Sequence, residues 1–109
     1  MSIVETSKID IVAVLPGSPV VKLVIADHLA WDDFDSHARL LQDKINTYVE
    51  FVESGQLSRL TAVKIPVAPV IRITLAVQHE PSMEAKALLA LVEKCLVGVG
   101  IQFELELRK

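Results

Sequence analysis

One stretch of the chain, from Asp32 to Glu53, strongly limits the folds it can adopt. Apolar residues recur there at steps of three and four, so they form one stripe along a helix: Phe34, Ala38, Leu41, Ile45, Tyr48 and Val52. Asp32 can cap the first free amides of this helix, and Gly55 suits the turn that ends it. A long helix with a single apolar stripe must cover another apolar surface, which the rest of the chain has to supply.

Four segments with strand character supply that surface. Residues 9–15, 20–26, 70–78 and 101–108 are rich in β-branched or alternating apolar side chains, and a second helix is predicted from Ser82 to about Val97. The order β-β-α-β-α-β predicts an α+β two-layer sandwich, in which a four-stranded mixed sheet carries both helices on one face. The strand order stays open at this point, and residues 62–67 are compatible with a short edge strand.

The pattern also predicts which side chains face the core between the sheet and the helices. On the sheet these are Ile11, Leu23, Ile73, Phe103, Leu105 and Leu107, and on the second helix they include Leu89 and Cys95. The other face of the sheet then carries Val12, Val14, Val20, Val24, Val70, Arg72 and Thr74. Contiguous apolar patches of this kind often mark an interface, and symmetric homodimers are common. We therefore expect contact with a second copy or with another protein, the alternative being a solvated face in which valine serves strand propensity.

Composition limits the class of protein. A length of 109 residues predicts one domain over residues 1–109, with residues 1–8 as a loose N-terminal segment. The net charge of −3, with signs interspersed, argues against nucleic-acid binding, and the apolar runs are too short to cross a membrane. Cys95 is the only cysteine, and the chain starts without a signal-peptide pattern, so a cytoplasmic location is expected.

Candidate chemistry concentrates between the second strand and the first helix. His28 lies in that turn, and Asp32, Asp33 and His37 follow at the helix start. A histidine beside a carboxylate can act as a general acid or base, which would suit a small hydrolase or isomerase. Asp33 and His37, four residues apart, could contribute to a metal site. However, acidic residues at a helix start usually serve its cap, so neither a metal nor a cofactor is predicted.

The same region carries a resemblance. The motif D-H-L-A-W at residues 27–31, followed by L-L-Q-D-K-I-N at 40–46 and F-V-E-S-G-Q at 51–56, resembles a family of small bacterial proteins of unknown function. The resemblance implies a bacterial cytoplasmic protein and no particular activity. It also points to Trp31, Gln42, Asn46 and Glu53 as binding candidates, the last three because packing does not require them. The alternative for Trp31 is a structural role at the helix entry.

These patterns favour a small non-enzymatic protein-interaction module, expected to be a homodimer. The first alternative is an enzyme that uses His28 with the nearby carboxylates, which requires His28 in a cleft with a carboxylate within hydrogen-bonding reach. The second is a small-molecule sensor whose pocket lies between residues 56–69 and the helices. An enzyme is the less favoured class, because no nucleophile elbow, paired-histidine motif or phosphate-binding glycine loop is present.

Overall fold

The computed structural model describes Ile3, Ile9 and residues 11–14, 17–59 and 69–108. Its elements, in chain order, are β1 (Ile11–Val14), β2 (Val20–Asp27), α1 (Phe34–Glu53), a short 3-10 turn (Leu57–Arg59), β3 (Val70–Val77), α2 (Met83–Gly98) and β4 (Gln102–Leu107). The predicted order of strands and helices is therefore confirmed, with ends that differ from prediction by one or two residues.

The four strands form one mixed sheet in the order β1-β2-β3-β4. β1 pairs with β2 antiparallel through a turn in which Gly17 has a φ of +74°, a conformation that glycine adopts without steric cost. β2–β3 and β3–β4 are parallel pairs, each joined through a helix. The predicted α+β class and the mixed sheet are confirmed, and the strand order that sequence left open is now known.

Both helices contribute to one continuous core. Leu41, Ile45 and Tyr48 of α1, and Leu89 and Leu96 of α2, join the same buried cluster as the side chains of β2 and β3. The most buried strand residues in this cluster are Val21, Leu23, Ile25, Ile73, Leu75 and Val77. Tyr48 adds a polar link, since its hydroxyl donates to the Val24 carbonyl at 2.8 Å.

The register of β1 corrects one prediction. Val12 lies opposite Leu23 and Val14 opposite Val21, and residues directly opposite each other share a face. Val12 and Val14 therefore lie on the helix side, where they pack against the core, and Ile11 lies on the other side. Our assignment was wrong because both residue parities of β1 are apolar, so its alternation does not say which set points inward.

Helix α1 is capped by Asp33 rather than by Asp32. The Asp33 side chain accepts from the Ser36 N–H at 3.4 Å, while Asp32 Oδ1 accepts from the Asp33 N–H. At α2, Ser82 caps the first turn by accepting from the Ala85 N–H at 3.2 Å.

The sheet face away from the helices is less open than predicted. Val24 and Thr74 on this face are buried, with 6% and 0% of their surface exposed, while Val20, Val70 and Arg72 are half-buried. Its charged side chains contact one another, since Glu104 lies within ion-pair distance of both Lys22 and Arg72. The proposed interface on this face stays a prediction, without Val12 and Val14 and with little exposed surface at its centre.

Two further predictions concern segments that the structure mostly does not describe. The edge strand at residues 62–67 lies outside the described residues, as does the segment 1–8 apart from Ile3. Ile3 is fully buried and its N–H donates to the Ala26 carbonyl at 2.9 Å. Within the described part of the chain, neither helix combines the length and the apolar character required to cross a bilayer.

Candidate functional site

The most unusual side-chain cluster lies where β2 meets α1. Asp27 ends β2, and His37 sits on the first turn of α1, so the connecting turn folds the two together. Asp27 Oδ2 lies 2.5 Å from His37 Nε2, and the two side chains are 0% and 2% exposed. Asp27 Oδ1 accepts from the Leu29 N–H at 3.1 Å. Both carboxylate oxygens are thus engaged in a site that excludes water.

The hydrogen bonds of His37 determine how many protons the pair holds. His37 Nδ1 lies 3.0 Å from the Ala30 carbonyl oxygen, which can only accept, so Nδ1 carries a proton. One further proton lies between Nε2 and the Asp27 carboxylate, so the pair is neutral as a unit. Because both ring nitrogens are engaged, His37 offers no free nitrogen to a substrate. Its geometry is that of a buried structural pair.

Trp31 extends this cluster toward β3. Its ring stacks on the His37 imidazole, with centroids 3.6 Å apart and planes at 14°. Its Nε1–H donates to the His79 carbonyl at 3.2 Å, just beyond the end of β3. With 8% of its surface exposed, Trp31 joins the helix start to the next strand, which matches the structural alternative considered above and leaves little surface for a ligand.

The four catalytic candidates do not converge on one site. His28 is exposed, and among the residues that the structure describes it makes no hydrogen bond or ion pair. Asp32 and Asp33 accept from backbone amides at the start of α1, and His37 pairs with Asp27. Among all the residues that the structure describes, no group of three or more His, Cys, Asp or Glu side chains is placed to hold a metal ion.

Two of the four binding candidates share a groove. Gln42 and Asn46, one turn apart, line an open apolar groove of about 400 Å³ between α1 and α2. The remaining lining residues are Ala38, Leu41, Ile45, Val49, Leu88, Leu91, Val92, Cys95, Leu96 and Val99. Glu53 is exposed at the end of α1 and takes no part in the lining. Cys95 was predicted to be buried, which is wrong: its thiol is exposed on the groove wall.

Sequence reasoning missed a buried lysine. Lys44 lies on α1 with none of its surface exposed, and its Nζ is 5.6 Å from the centre of the Tyr48 ring. This arrangement is a cation–π contact within the helix. The sequence did not predict this burial, because Lys44 is charged and is not one of the residues of the apolar stripe, although it lies between Leu41 and Tyr48.

Helix α2 carries apolar residues on its outer side as well as on its inner side, although it buries little of its surface. Only Ala85, Leu89 and Leu96 are buried in it. The large hydrophobic side chains that are exposed in the described part of the chain all belong to α2, the residue after it and β4: Met83, Leu91, Val97, Val99, Leu105 and Leu107. We call these six residues the α2–β4 surface.

The two leucines of this surface correct a prediction. Leu105 and Leu107 lie opposite Leu75 and Val77 and point to the helix side, as predicted, but they are 42% and 41% exposed. They lie on the edge strand, where α2 does not cover them fully. Sequence reasoning overlooked the α2–β4 surface, although α2 carries a signal: the side that should face water contains Met83, Ala87, Ala90 and Val97.

Comparison with known proteins identifies the family without supplying an activity. The model of a family of unknown function, DUF6572, matches residues 1–109, so the chain belongs to this family. No curated protein and no solved structure matches the chain.

Proposed function

We propose that this member of a family without an assigned activity is a non-enzymatic protein-interaction module, and that its partner covers the α2–β4 surface. The main support for this proposal is the distribution of exposed apolar side chains. In the described part of the chain the exposed large hydrophobics are confined to residues 83–107. Single exposed apolar residues are ordinary, whereas a grouped set on one helix and its neighbouring strand is typical of an interface.

The contrast between the two helices strengthens this proposal. α1 turns an apolar stripe to the core and polar residues such as Arg39, Asp43 and Glu50 to water. α2 turns apolar residues in both directions, and Val97 and Leu91 are 64% and 61% exposed. A helix with apolar residues on two opposite sides normally packs against a neighbour on each of them. A partner that covers α2 would give it the surroundings that its sequence suits.

The cluster around Asp27 and His37 favours a binding protein over an enzyme that acts at that turn. Its polar groups are occupied by one another and by the backbone, and Trp31 seals it. A cytoplasmic location forms part of the proposal and rests on the exposed Cys95 thiol, which suits a reducing compartment.

Site-specific photo-crosslinking in cells that express the protein tests the proposal, since it captures whichever protein lies against the labelled position. The photoreactive residue p-benzoylphenylalanine replaces Leu91 in one chain and Asp43, on the exposed side of α1, in the control. We expect a discrete protein adduct from the Leu91 position and none from the control, and we expect Val97→Asp to reduce the adduct. Equal adducts at both positions, or none at Leu91, would contradict the proposal.

A further inference from the structure

The outer side of α2 has the spacing of a helix-pairing seam. Five residues follow one another at steps of four, three, four and three, and all are exposed: Met83, Ala87, Ala90, Lys94 and Val97. This is the spacing at which two helices pack along a shared seam. The two residues nearest its middle, Ala87 and Ala90, are small, so a second helix could approach closely there.

Charges beside the seam identify the partner that fits it. Lys86 and Glu93 lie seven residues apart on one flank, and both are exposed. If a second α2 packs antiparallel about a twofold axis near the middle of the helix, Lys86 of each copy lies beside Glu93 of the other. Residues on the same flank meet in such an arrangement, because a twofold axis perpendicular to both helices keeps each flank on its own side. A parallel pair, related by a twofold axis along the helices, would set each flank against the opposite flank of the partner, so Lys86 and Glu93 would not meet.

The remaining charges of α2 are compatible with this arrangement. In an antiparallel pair, Glu84 near the start of one helix lies at about the height of Lys94, the seam residue near the end of the other. The four charged residues of α2 are thus Glu84, Lys86, Glu93 and Lys94. Among the described residues, none of the four forms an ion pair within the chain, so their side chains are available to a second copy.

From this self-complementarity we infer that the partner at the α2–β4 surface is a second copy of the chain, with the two α2 helices packed antiparallel across a twofold axis between Ala87 and Ala90. This inference rests on the proposed function and adds the identity and the orientation of the partner. The pairing covers Met83 and Val97 and places Leu91 of both copies close to the axis.

Charge reversal tests the inference directly. Lys86→Glu converts both symmetric contacts into repulsions, and Glu93→Lys does the same with the opposite sign. Sedimentation equilibrium over a hundredfold dilution should show a dimer for the unaltered chain. At low salt, the dimer dissociation constant of each single variant should be roughly 10- to 100-fold higher than that of the unaltered chain. This difference should shrink in 1 M NaCl because salt screens exposed charges.

Combining the two charge reversals, in a mixture of chains or in one chain, gives the decisive result. A mixture of the Lys86→Glu and Glu93→Lys chains should form heterodimers in which every contact is again attractive, and the double variant should regain self-association. Arg39→Glu, a reversal of the same sign on the exposed side of α1, is the matched control and should leave the dimer unchanged. Circular dichroism confirms that each variant is folded.

The outcomes separate this inference from the proposed function. A monomer at every concentration, or a dimer that both single variants leave intact, would overturn the antiparallel pairing. If the Leu91 crosslink then joins the chain to a different protein, the interaction module stands and only its partner changes. If neither a dimer nor a Leu91 adduct forms, both proposals fail.

Discussion

The buried pair of Asp27 and His37 yields a prediction that depends on the geometry of its hydrogen bonds. Replacing His37 by leucine leaves the Asp27 carboxylate buried, with the Leu29 N–H as its one remaining bond among those described above. Removing one partner of a buried pair costs about 3–5 kcal/mol. The stacking contact with Trp31, worth about 0.5–1.5 kcal/mol, is lost as well. We expect His37→Leu to lower the free energy of unfolding by about 4 kcal/mol.

Asp27→Asn should cost far less, because an amide can make the same two contacts. Its oxygen accepts from the Leu29 N–H, and its NH₂ group donates to Nε2 of a neutral His37 that keeps its Nδ1 proton on the Ala30 carbonyl. The variant exchanges a charge-assisted hydrogen bond for a neutral one, at about 1 kcal/mol. The two substitutions should therefore differ by about 3 kcal/mol.

Urea unfolding followed by circular dichroism at pH 7 measures both values. The slope of the unfolding free energy against urea should be the same in all chains, since the surface exposed on unfolding hardly changes. His79→Leu is the matched control: its side chain is exposed, and it should change stability by less than about 0.5 kcal/mol. Equal losses for Asp27→Asn and His37→Leu would refute the proton count, and a loss below about 1 kcal/mol for His37→Leu would refute the importance of the pair.

Three further predictions use other parts of the fold. Leu75→Ala should cost about 2–5 kcal/mol of unfolding free energy, whereas the same change at its cross-strand neighbour Leu105 should cost below about 1 kcal/mol in the monomer; similar losses would show that β4 is covered. Thr74→Val should stabilise the protein by about 1 kcal/mol in thermal unfolding, because Thr74 Oγ1 is buried with no hydrogen-bond partner among the described residues; destabilisation would indicate that the hydroxyl has one. The Arg108 side chain donates a hydrogen bond to Glu106 at 3.0 Å and holds the pKa of that carboxyl below its ordinary value of 4.5. The small stabilisation that this contact provides is therefore full above pH 4.5 and is lost as the pH falls through the lowered pKa. NMR titration of Arg108→Ala should return the Glu106 pKa to its ordinary value, and an unchanged pKa would exclude the contact in solution.

The sequence predicted most of the fold because the relevant signals are local. The helical period of α1, the turn residues between β1 and β2 and the strict alternation of β4 each act within a few residues, so the order of the elements could be derived from them. The sequence also drew attention to the turn from Asp27 to Trp31, next to which the structure places the buried contacts of Asp27, Trp31 and His37. The family resemblance selected Gln42 and Asn46, which the structure places in one groove.

What the sequence could not supply depends on contacts between distant segments. Asp27 and His37 are ten residues apart, and nothing in their spacing says that a turn will bury them against each other rather than expose them to a substrate. Val12 and Val14 faced the wrong way in the prediction because only the pairing of β1 with β2 distinguishes the two faces of an apolar strand.

The exposed apolar side chains of α2 and β4 show most clearly which properties follow from the sequence and which depend on the tertiary structure. The apolar pattern of α2 and β4 determined that these residues form a helix and a strand with apolar sides. Whether Leu91, Val97 and Leu105 are covered was decided only by the tertiary structure, which places α2 and β4 at the edge of the sheet. Periodicity is a property of neighbouring residues, whereas burial requires another surface to be present, and that surface can belong to a different part of the fold or to a second chain.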